Sequence, residues 1–170
     1  MEFYTEIKTQ GFYHTNNSKV FGALEWYYSK WIPFFRFRNV KYPIHAWPIG
    51  RMLLRATQRK LKAAYLNDVD TDMGGIDAFR GIDNGTEKWH NDLVEGCNTA
   101  FLLYMSDMTP ETGGAIQFRT VGAQGVHTIY PKRYDIVIMD QSELFQHRVL
   151  PLNKPVNRDI SHFEFNIREH

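Results

Sequence analysis

Apolar residues recur at helical spacing between Pro48 and Leu66, the clearest helix signal in the chain. A period near 3.6 residues gathers them on one face that can pack against a core. This apolar face comprises Ile49, Met52, Leu53, Ala56, Leu61 and Ala64. The opposite side is basic and is expected to face water: Arg51, Arg55, Arg59 and Lys62. Because proline suits the first helical turn, we predict a helix from about Pro48 to Leu66.

Beyond Asp72 the pattern changes to short apolar runs separated by glycine, asparagine and aspartate. Such runs, bounded by turn residues, are typical of a β-rich barrel or sandwich. The predicted strands are Ala78–Ile82, Glu87–Asp92, Thr99–Ser106, Ala115–Thr120, Val126–Tyr130, Asp135–Met139, Phe145–Leu150 and Ile160–Ile167. Turns between them are expected at Asp83-Asn84-Gly85 and Thr112-Gly113-Gly114. The segment before Tyr28 is expected to add one or two further strands.

The composition favours one domain over residues 1–170, since 170 residues with 43% hydrophobic content suit a single compact core. The longest apolar run, Ala100–Met105, is far shorter than the roughly 20 residues of a membrane-spanning helix. We therefore expect no membrane partner. The first residues lack the pattern of a secretory signal, and one cysteine, Cys97, excludes an intramolecular disulfide. A cytoplasmic location is expected.

Charge is uneven along the chain although the formal net charge is only +1. No acidic residue occurs from Trp26 to Asn67, and the aromatic and basic stretch at 26–38 could stack nucleobases and hold phosphates, or form a substrate lid. The favoured alternative is that its aromatic rings pack against the sheet while the cations reach solvent. Nucleic acid is therefore kept as an alternative partner but is not favoured.

His90 and Asp92 lie two residues apart in the predicted strand Glu87–Asp92, and His147 follows 55 residues after Asp92. The period of two in a strand places the side chains of His90 and Asp92 on the same face. Two imidazoles and one carboxylate form the ligand set of non-haem Fe(II) oxygenases, which leaves positions for a bidentate co-substrate and dioxygen. Zinc favours a closed tetrahedral site instead. These residues therefore predict an Fe(II) centre.

An anionic co-substrate at this centre needs a cation for its far carboxylate. Arg158 follows His147 by eleven residues, about one turn and one antiparallel strand, and a guanidinium binds a carboxylate bidentately. The competing cations are Arg148, Lys154 and Arg168. Arg148 should point away from the metal, because adjacent residues of a strand face opposite sides.

Together these motifs resemble the 2-oxoglutarate- and Fe(II)-dependent dioxygenase superfamily, in its prolyl 4-hydroxylase-like branch. The motifs, in order, are His90-x-Asp92, Gly113-Gly114-x-x-x-Phe118, Pro131-Lys132, His147-Arg148-Val149-x-Pro151 and Arg158, within about residues 77–166. The resemblance implies a mainly β fold, a double-stranded β-helix (jelly roll) with N-terminal helices packed outside. It implies Fe(II) as cofactor, 2-oxoglutarate as co-substrate, and ascorbate as a further candidate. Its metal ligands correspond to His90, Asp92 and His147, and its co-substrate carboxylate site to Arg158 and Tyr104; Tyr104 has an alternative role as a core residue.

The implied reaction is hydroxylation by dioxygen, with oxidative decarboxylation of 2-oxoglutarate to succinate and CO2. The leading substrate is a peptidyl or free amino acid such as proline, that is, a peptide or small molecule. Collagen-type prolyl hydroxylases carry lysine where this chain has Arg158, so their substrate class is not carried over. Asp92 favours hydroxylation over the halogenation of relatives that lack this carboxylate. The alternatives are a nucleic-acid demethylase of the same superfamily and a non-catalytic jelly-roll binding module.

Overall fold

The computed structural model describes residues 2–30, 48–81 and 87–168. Three α-helices and eight strands follow one another in these ranges, with one short 3₁₀ helix at Ser18–Val20. They are α1 (Glu2–Gln10), β1 (Phe12–Asn16), α2 (Gly22–Lys30), α3 (Pro48–Tyr65), β2 (Thr71–Gly81), β3 (Thr99–Tyr104), β4 (Ile116–Thr120), β5 (His127–Ile129), β6 (Asp135–Asp140), β7 (Phe145–Val149) and β8 (Arg158–Ile167). Most of the aromatic and basic stretch, and the expected turn Asp83-Asn84-Gly85, lie outside the described residues.

The strands form two antiparallel sheets. The larger sheet has the order β1-β6-β3-β8-β2, and the smaller has the order β5-β4-β7. Phe12 of the larger sheet stacks on Phe118 of the smaller at a ring-centroid distance of 4.5 Å, so the two sheets face each other. This arrangement confirms the expected jelly roll.

The larger sheet lies between two hydrophobic cores, and alternate residues of strand β6 face one core or the other. Ile136 and Ile138 belong to a core shared with the helices, whereas Val137 and Met139 belong to a core between the sheets. The alternation follows from the period of two in a strand. We call the second core the barrel core; its buried members are Phe12, Ala100, Tyr104, Ile116, Phe118, Val137, Met139 and Ile160. The helices therefore pack outside the barrel, as the resemblance implies.

The N-terminal segment contributes one strand, β1, together with two helices that the sequence pattern does not indicate. Helices α1 and α2 have nine residues each, too few to be stable in isolation. Their stability comes from burying side chains such as Ile7 and Leu24 against the larger sheet. Helix α2 is further tied to β8, where the Tyr28 hydroxyl donates to the Ile160 carbonyl oxygen at 3.0 Å.

Helix α3 has the predicted bounds but a different buried face. Ile49 and Met52, expected in the core, are 52% and 63% exposed, and the expected Ala56 and Ala64 also face solvent, whereas Leu61 is buried as predicted. The buried positions are Gly50, Leu54, Thr57, Gln58 and Leu61.

Polar contacts with β2 and β8 explain the rotation of the buried face of α3. The Gln58 amide is fully buried and donates to the Glu164 carbonyl oxygen at 3.1 Å. Arg55 Nη1 donates to the Gly74 carbonyl oxygen at 2.9 Å, and Lys62 Nζ donates to the Thr71 carbonyl oxygen at 2.6 Å. These side chains satisfy backbone carbonyls that hydrophobic periodicity does not reveal. Arg55 and Lys62 were expected only to face water, but they also bind these carbonyl oxygens.

Seven of the eight predicted strands correspond to β2–β8, although β2 begins at Thr71 instead of Ala78. The prediction of a strand at Glu87–Asp92 is wrong. In the described residues, this segment pairs with the smaller sheet through one isolated antiparallel bridge, between His90 and His147. Side-chain contacts hold the rest of the segment; the Asn91 amide, for example, donates to the Ser142 carbonyl oxygen at 3.3 Å. None of the helices in the described ranges is long and apolar enough to cross a membrane.

Candidate metal centre

The bridge between His90 and His147 places two imidazoles at the edge of the smaller sheet. The His90 amide donates to the His147 carbonyl oxygen at 3.0 Å, and the His147 amide donates back at 2.9 Å. The two rings lie 4.3 Å apart between centroids. One reciprocal pair of backbone hydrogen bonds therefore joins the 87–92 segment to β7 at the histidines.

Asp92 completes a group of three side chains whose ligand atoms lie within 4.8 Å of one another. His90 Nε2 is 3.7 Å from Asp92 Oδ1, and His147 Nε2 is 3.4 Å from Asp92 Oδ2. A metal–ligand bond of about 2.1 Å puts neighbouring ligand atoms about 3 Å apart, so small side-chain adjustments suffice for one ion. The donor set of two nitrogens and one carboxylate fits Fe(II) with positions left for other ligands.

Contacts behind the triad orient its members. His90 Nδ1 lies 2.8 Å from the Lys88 carbonyl oxygen, which makes Nδ1 the donor and leaves the Nε2 lone pair directed to the centre. Hydrogen bonding from His147 is the largest cause of a lowered pKa for Asp92; burial opposes it, and the charges of both histidines assist. The carboxylate is therefore ionised at neutral pH, as metal ligation requires. Its side chain is 41% exposed, so the centre opens to solvent.

Arg158 and Tyr104 lie inside the barrel. Arg158 begins β8 on the same face as Ile160, a member of the barrel core, and its Nη1 atom is buried. Tyr104 pairs with Ile160 across β3 and β8 and is 1% exposed. Burial raises the pKa of the Tyr104 hydroxyl well above its ordinary value, and the nearby Arg158 charge opposes this only in part. The phenol is thus protonated and can donate a hydrogen bond beside a guanidinium.

The competing cations lie elsewhere. Arg148 points to the outer side of the smaller sheet, as expected, where Nε donates to Gln117 Oε1 at 2.7 Å. Lys154 is exposed in the loop before β8. Arg168 forms ion pairs with Asp70 and Asp72 at 3.2 and 2.5 Å on the surface. Of the four cations considered, Arg158 is the one that shares the barrel with Tyr104.

Two residues near the centre were missed from the sequence. His162 lies four residues after Arg158 on the same face of β8; its Nε2 is buried, and its charge contributes to the lowered pKa of Asp92. The even spacing between Arg158 and His162 could have indicated that the two side chains share a face of the strand. Trp89, next to His90, packs against two arginines on the outer side of the smaller sheet. That contact had no local signal, because its partners are distant in sequence.

Comparison with protein families identifies the class. A family model described as the 2OG-Fe(II) oxygenase superfamily matches residues 78–162, half of the chain. The chain therefore belongs to this superfamily. It is an enzyme, and its cofactor and co-substrate are Fe(II) and 2-oxoglutarate. The non-catalytic binding module is accordingly not retained. No curated protein sequence matches the chain.

Solved structures with low identity share the fold. A prolyl hydroxylase from Trichoplax adhaerens, in complex with a hypoxia inducible factor oxygen degradation domain peptide fragment, has a TM-score of 0.72 at 15% identity, over 96% of this chain and 87% of that one. A Pseudomonas putida prolyl-4-hydroxylase has a TM-score of 0.67 at 13% identity, over 98% of both chains. HygX from Streptomyces hygroscopicus, with nickel and 2-oxoglutarate bound, has a TM-score of 0.62 at 13% identity, over 97% and 85%. The fold is thus that of the prolyl hydroxylase-like branch of the superfamily.

Proposed function

We propose that this dioxygenase hydroxylates a peptidyl or free amino acid such as proline. The observation that carries the proposal is the convergence of His90, Asp92 and His147 at the open edge of a barrel whose interior holds Arg158 and Tyr104. The fold shared with two prolyl hydroxylases, one of them in complex with a peptide, supports an amino-acid substrate.

Each residue has a role in this proposal. His90 Nε2, His147 Nε2 and the Asp92 carboxylate hold the metal. When bound, Fe(II) supplies the oxidative chemistry, in which substrate, dioxygen and 2-oxoglutarate become hydroxylated product, succinate and CO2. Arg158 donates paired hydrogen bonds to the far carboxylate of 2-oxoglutarate, and the neutral Tyr104 hydroxyl donates another.

The walls of the barrel exclude water from the Tyr104 hydroxyl and from Arg158 Nη1. Phe118 and Ile160 are 2% and 9% exposed, and both belong to the barrel core beside Tyr104. A hydrogen bond from Arg158 is stronger in such surroundings than in water, because the local dielectric constant is low. The co-substrate is therefore held in one orientation at the metal.

The first test is an anaerobic titration of the Fe(II)-loaded protein with 2-oxoglutarate, monitored by the visible charge-transfer band of the chelate. The band is expected in the wild type and in Arg51→Ala, an exposed arginine on α3, but not in His147→Ala. Absence of the band in an iron-loaded wild type refutes co-substrate binding at this centre.

The second test addresses the substrate. With Fe(II), 2-oxoglutarate and ascorbate present, succinate formation is measured with proline-containing peptides and with free proline, and product mass is read for a gain of one oxygen atom. Substrate-dependent succinate and this mass gain are expected. Succinate that no amino-acid substrate stimulates contradicts the proposed substrate class.

Nucleic acid is the second candidate substrate, because α3 exposes Arg51 and Arg59 on its basic side. Affinity for oligonucleotides that falls steeply with salt would support it. Oligonucleotide binding that is absent at low salt removes this candidate.

A further inference from the structure

The outer side of the smaller sheet carries an ordered group of side chains directly behind the two histidines. On β7, His147 pairs with Phe118 of the barrel core, so Gln146 and Arg148 point outward on either side of His147. On β4, Gln117 and Arg119 point outward for the same reason. Trp89, which immediately precedes His90, packs on this outer face.

The contacts of Trp89 form what we call the tryptophan clamp, composed of Trp89, Arg119, Arg148, Gln146 and Gln117. The Arg119 and Arg148 guanidinium carbons lie 4.4 and 4.6 Å from the Trp89 ring centroid. Gln146 Oε1 accepts from Arg119 Nε and Nη2 at 3.0 and 2.6 Å, and Gln117 Oε1 accepts from Arg148 Nε at 2.7 Å. Each arginine is thus held by a glutamine on the opposite strand and contacts the indole ring.

The position of the clamp bears on the metal centre for two reasons. Within the described residues, the 87–92 segment joins the smaller sheet through one bridge, so regular strand pairing does not hold it there. The clamp also involves the residue before His90 and both neighbours of His147. It therefore links the two histidine-bearing segments on the face opposite the metal.

We propose that Trp89 is a positioning residue for the metal centre, and that the tryptophan clamp sets the separation of the His90 and His147 imidazoles. Removing the indole ring leaves the backbone bridge, the Lys88 contact and the Asn91 hydrogen bond to the Ser142 carbonyl oxygen to hold His90 and its segment. The segment then samples positions in which the two Nε2 atoms no longer fit one ion, and metal affinity falls. This inference rests on the proposed role of His90 and His147 as ligands.

A purely structural role for Trp89 predicts a different result. Loss of aromatic packing would lower the stability of the metal-free protein without a specific effect on the metal. The readouts are therefore the dissociation constant and visible spectrum of bound Co(II), used as a spectroscopic probe, together with thermal unfolding of the metal-free protein. Neither Co(II) readout depends on turnover.

The variants distinguish an effect of the indole ring on metal binding from an effect on folding. Trp89→Ala is expected to bind Co(II) about 10- to 100-fold more weakly, the range found when groups that orient metal ligands are removed. Trp89→Phe keeps an aromatic face for the arginines and is expected to recover most of the affinity. Arg148→Gln should show an intermediate loss. Trp26→Ala, which removes a 53% exposed tryptophan on α2, is the matched control and should bind as the wild type does.

Three results overturn the proposal. One is a Co(II) dissociation constant for folded Trp89→Ala within twofold of the wild-type value. Another is Trp89→Phe binding as weakly as Trp89→Ala. The third result applies if Trp89→Ala does not fold. It is a wild-type Co(II) affinity in both Trp89→Phe and Arg148→Gln. A wild-type protein that binds no Co(II) refutes the metal centre itself, whereas wild-type binding with unaffected variants refutes only the clamp.

Discussion

Replacing Arg158 by methionine tests the co-substrate site most directly. Methionine keeps an apolar stem of similar shape and removes the guanidinium from the barrel. Because Arg158 Nη1 is buried, water is poorly placed to replace the lost donors. A hydrogen bond to a charged group contributes about 1.5–3 kcal/mol, so two such bonds give a loss of about 3 kcal/mol or more. This corresponds to a rise in the dissociation constant of 2-oxoglutarate of about 150-fold.

The assay is the anaerobic titration of Fe(II)-loaded protein, with metal affinity measured separately. Arg158→Lys keeps the charge but loses the planar fork, so we expect a smaller rise, about tenfold. Arg51→Met, on the exposed face of α3, is the control and should leave the titration unchanged. Metal affinity should be the same in all variants, because Arg158 is not a ligand. An Arg158→Met dissociation constant within threefold of wild type would refute the assigned role.

Three further results are expected from other positions. Gly113→Ala should unfold at a lower temperature than Gly122→Ala. Both glycines have positive φ, 75° and 80°, so an alanine at either position costs about 1–2 kcal/mol of backbone strain. Of the two added Cβ atoms, only that at Gly113 would also overlap the Pro151 carbonyl oxygen. Equal melting temperatures would contradict this. The lowered pKa of Asp92 stabilises the metal-free fold above the unfolded-state pKa, and this contribution is lost as pH falls through the folded-state value. Asp92→Asn should therefore show a smaller loss of unfolding free energy at acidic pH, measured by urea unfolding. An unchanged pH dependence would count against this contribution of Asp92. The raised pKa of Tyr104 has the opposite consequence: above about pH 10 the unfolded state ionises first, and stability falls by about 1.4 kcal/mol per pH unit. Tyr104→Phe should lose less stability than the wild type in this alkaline range. An equal loss of stability in both proteins would be evidence against a buried neutral phenol.

Local patterns predicted most of the β-structure. Alternation and turn residues located the strands from β3 to β8 to within about two residues, since these signals depend on neighbouring positions. The proposed triad and Arg158 could also be predicted from the sequence, because a two-residue spacing and a strand-length separation are visible along the chain. The argument for His90 and Asp92 nevertheless used a strand that is not present, and a loop with one bridge brings them together instead.

Contacts between distant parts of the chain determined the rest. The buried face of α3 depends on carbonyl groups of β2 and β8 that Gln58 and Arg55 reach across more than a dozen residues. The periodicity of the helix therefore predicted only part of this face: Leu61 is buried and Leu53 packs against the core, whereas Ile49 and Met52 are exposed. The short N-terminal helices exist because the larger sheet offers them an apolar surface.

The sequence by itself determined which residues could bind a metal and a carboxylate, and that a β-rich jelly roll was the expected framework for them. Only the tertiary structure decided how these groups are held. Tyr104 and Arg158 meet inside the barrel because β3 and β8 are neighbours, His162 joins the surroundings of Asp92 from β8, and Trp89 lies against Arg119 and Arg148 from separate strands. Spacing along a chain specifies a local face, whereas pairing between strands far apart in sequence specifies which faces meet.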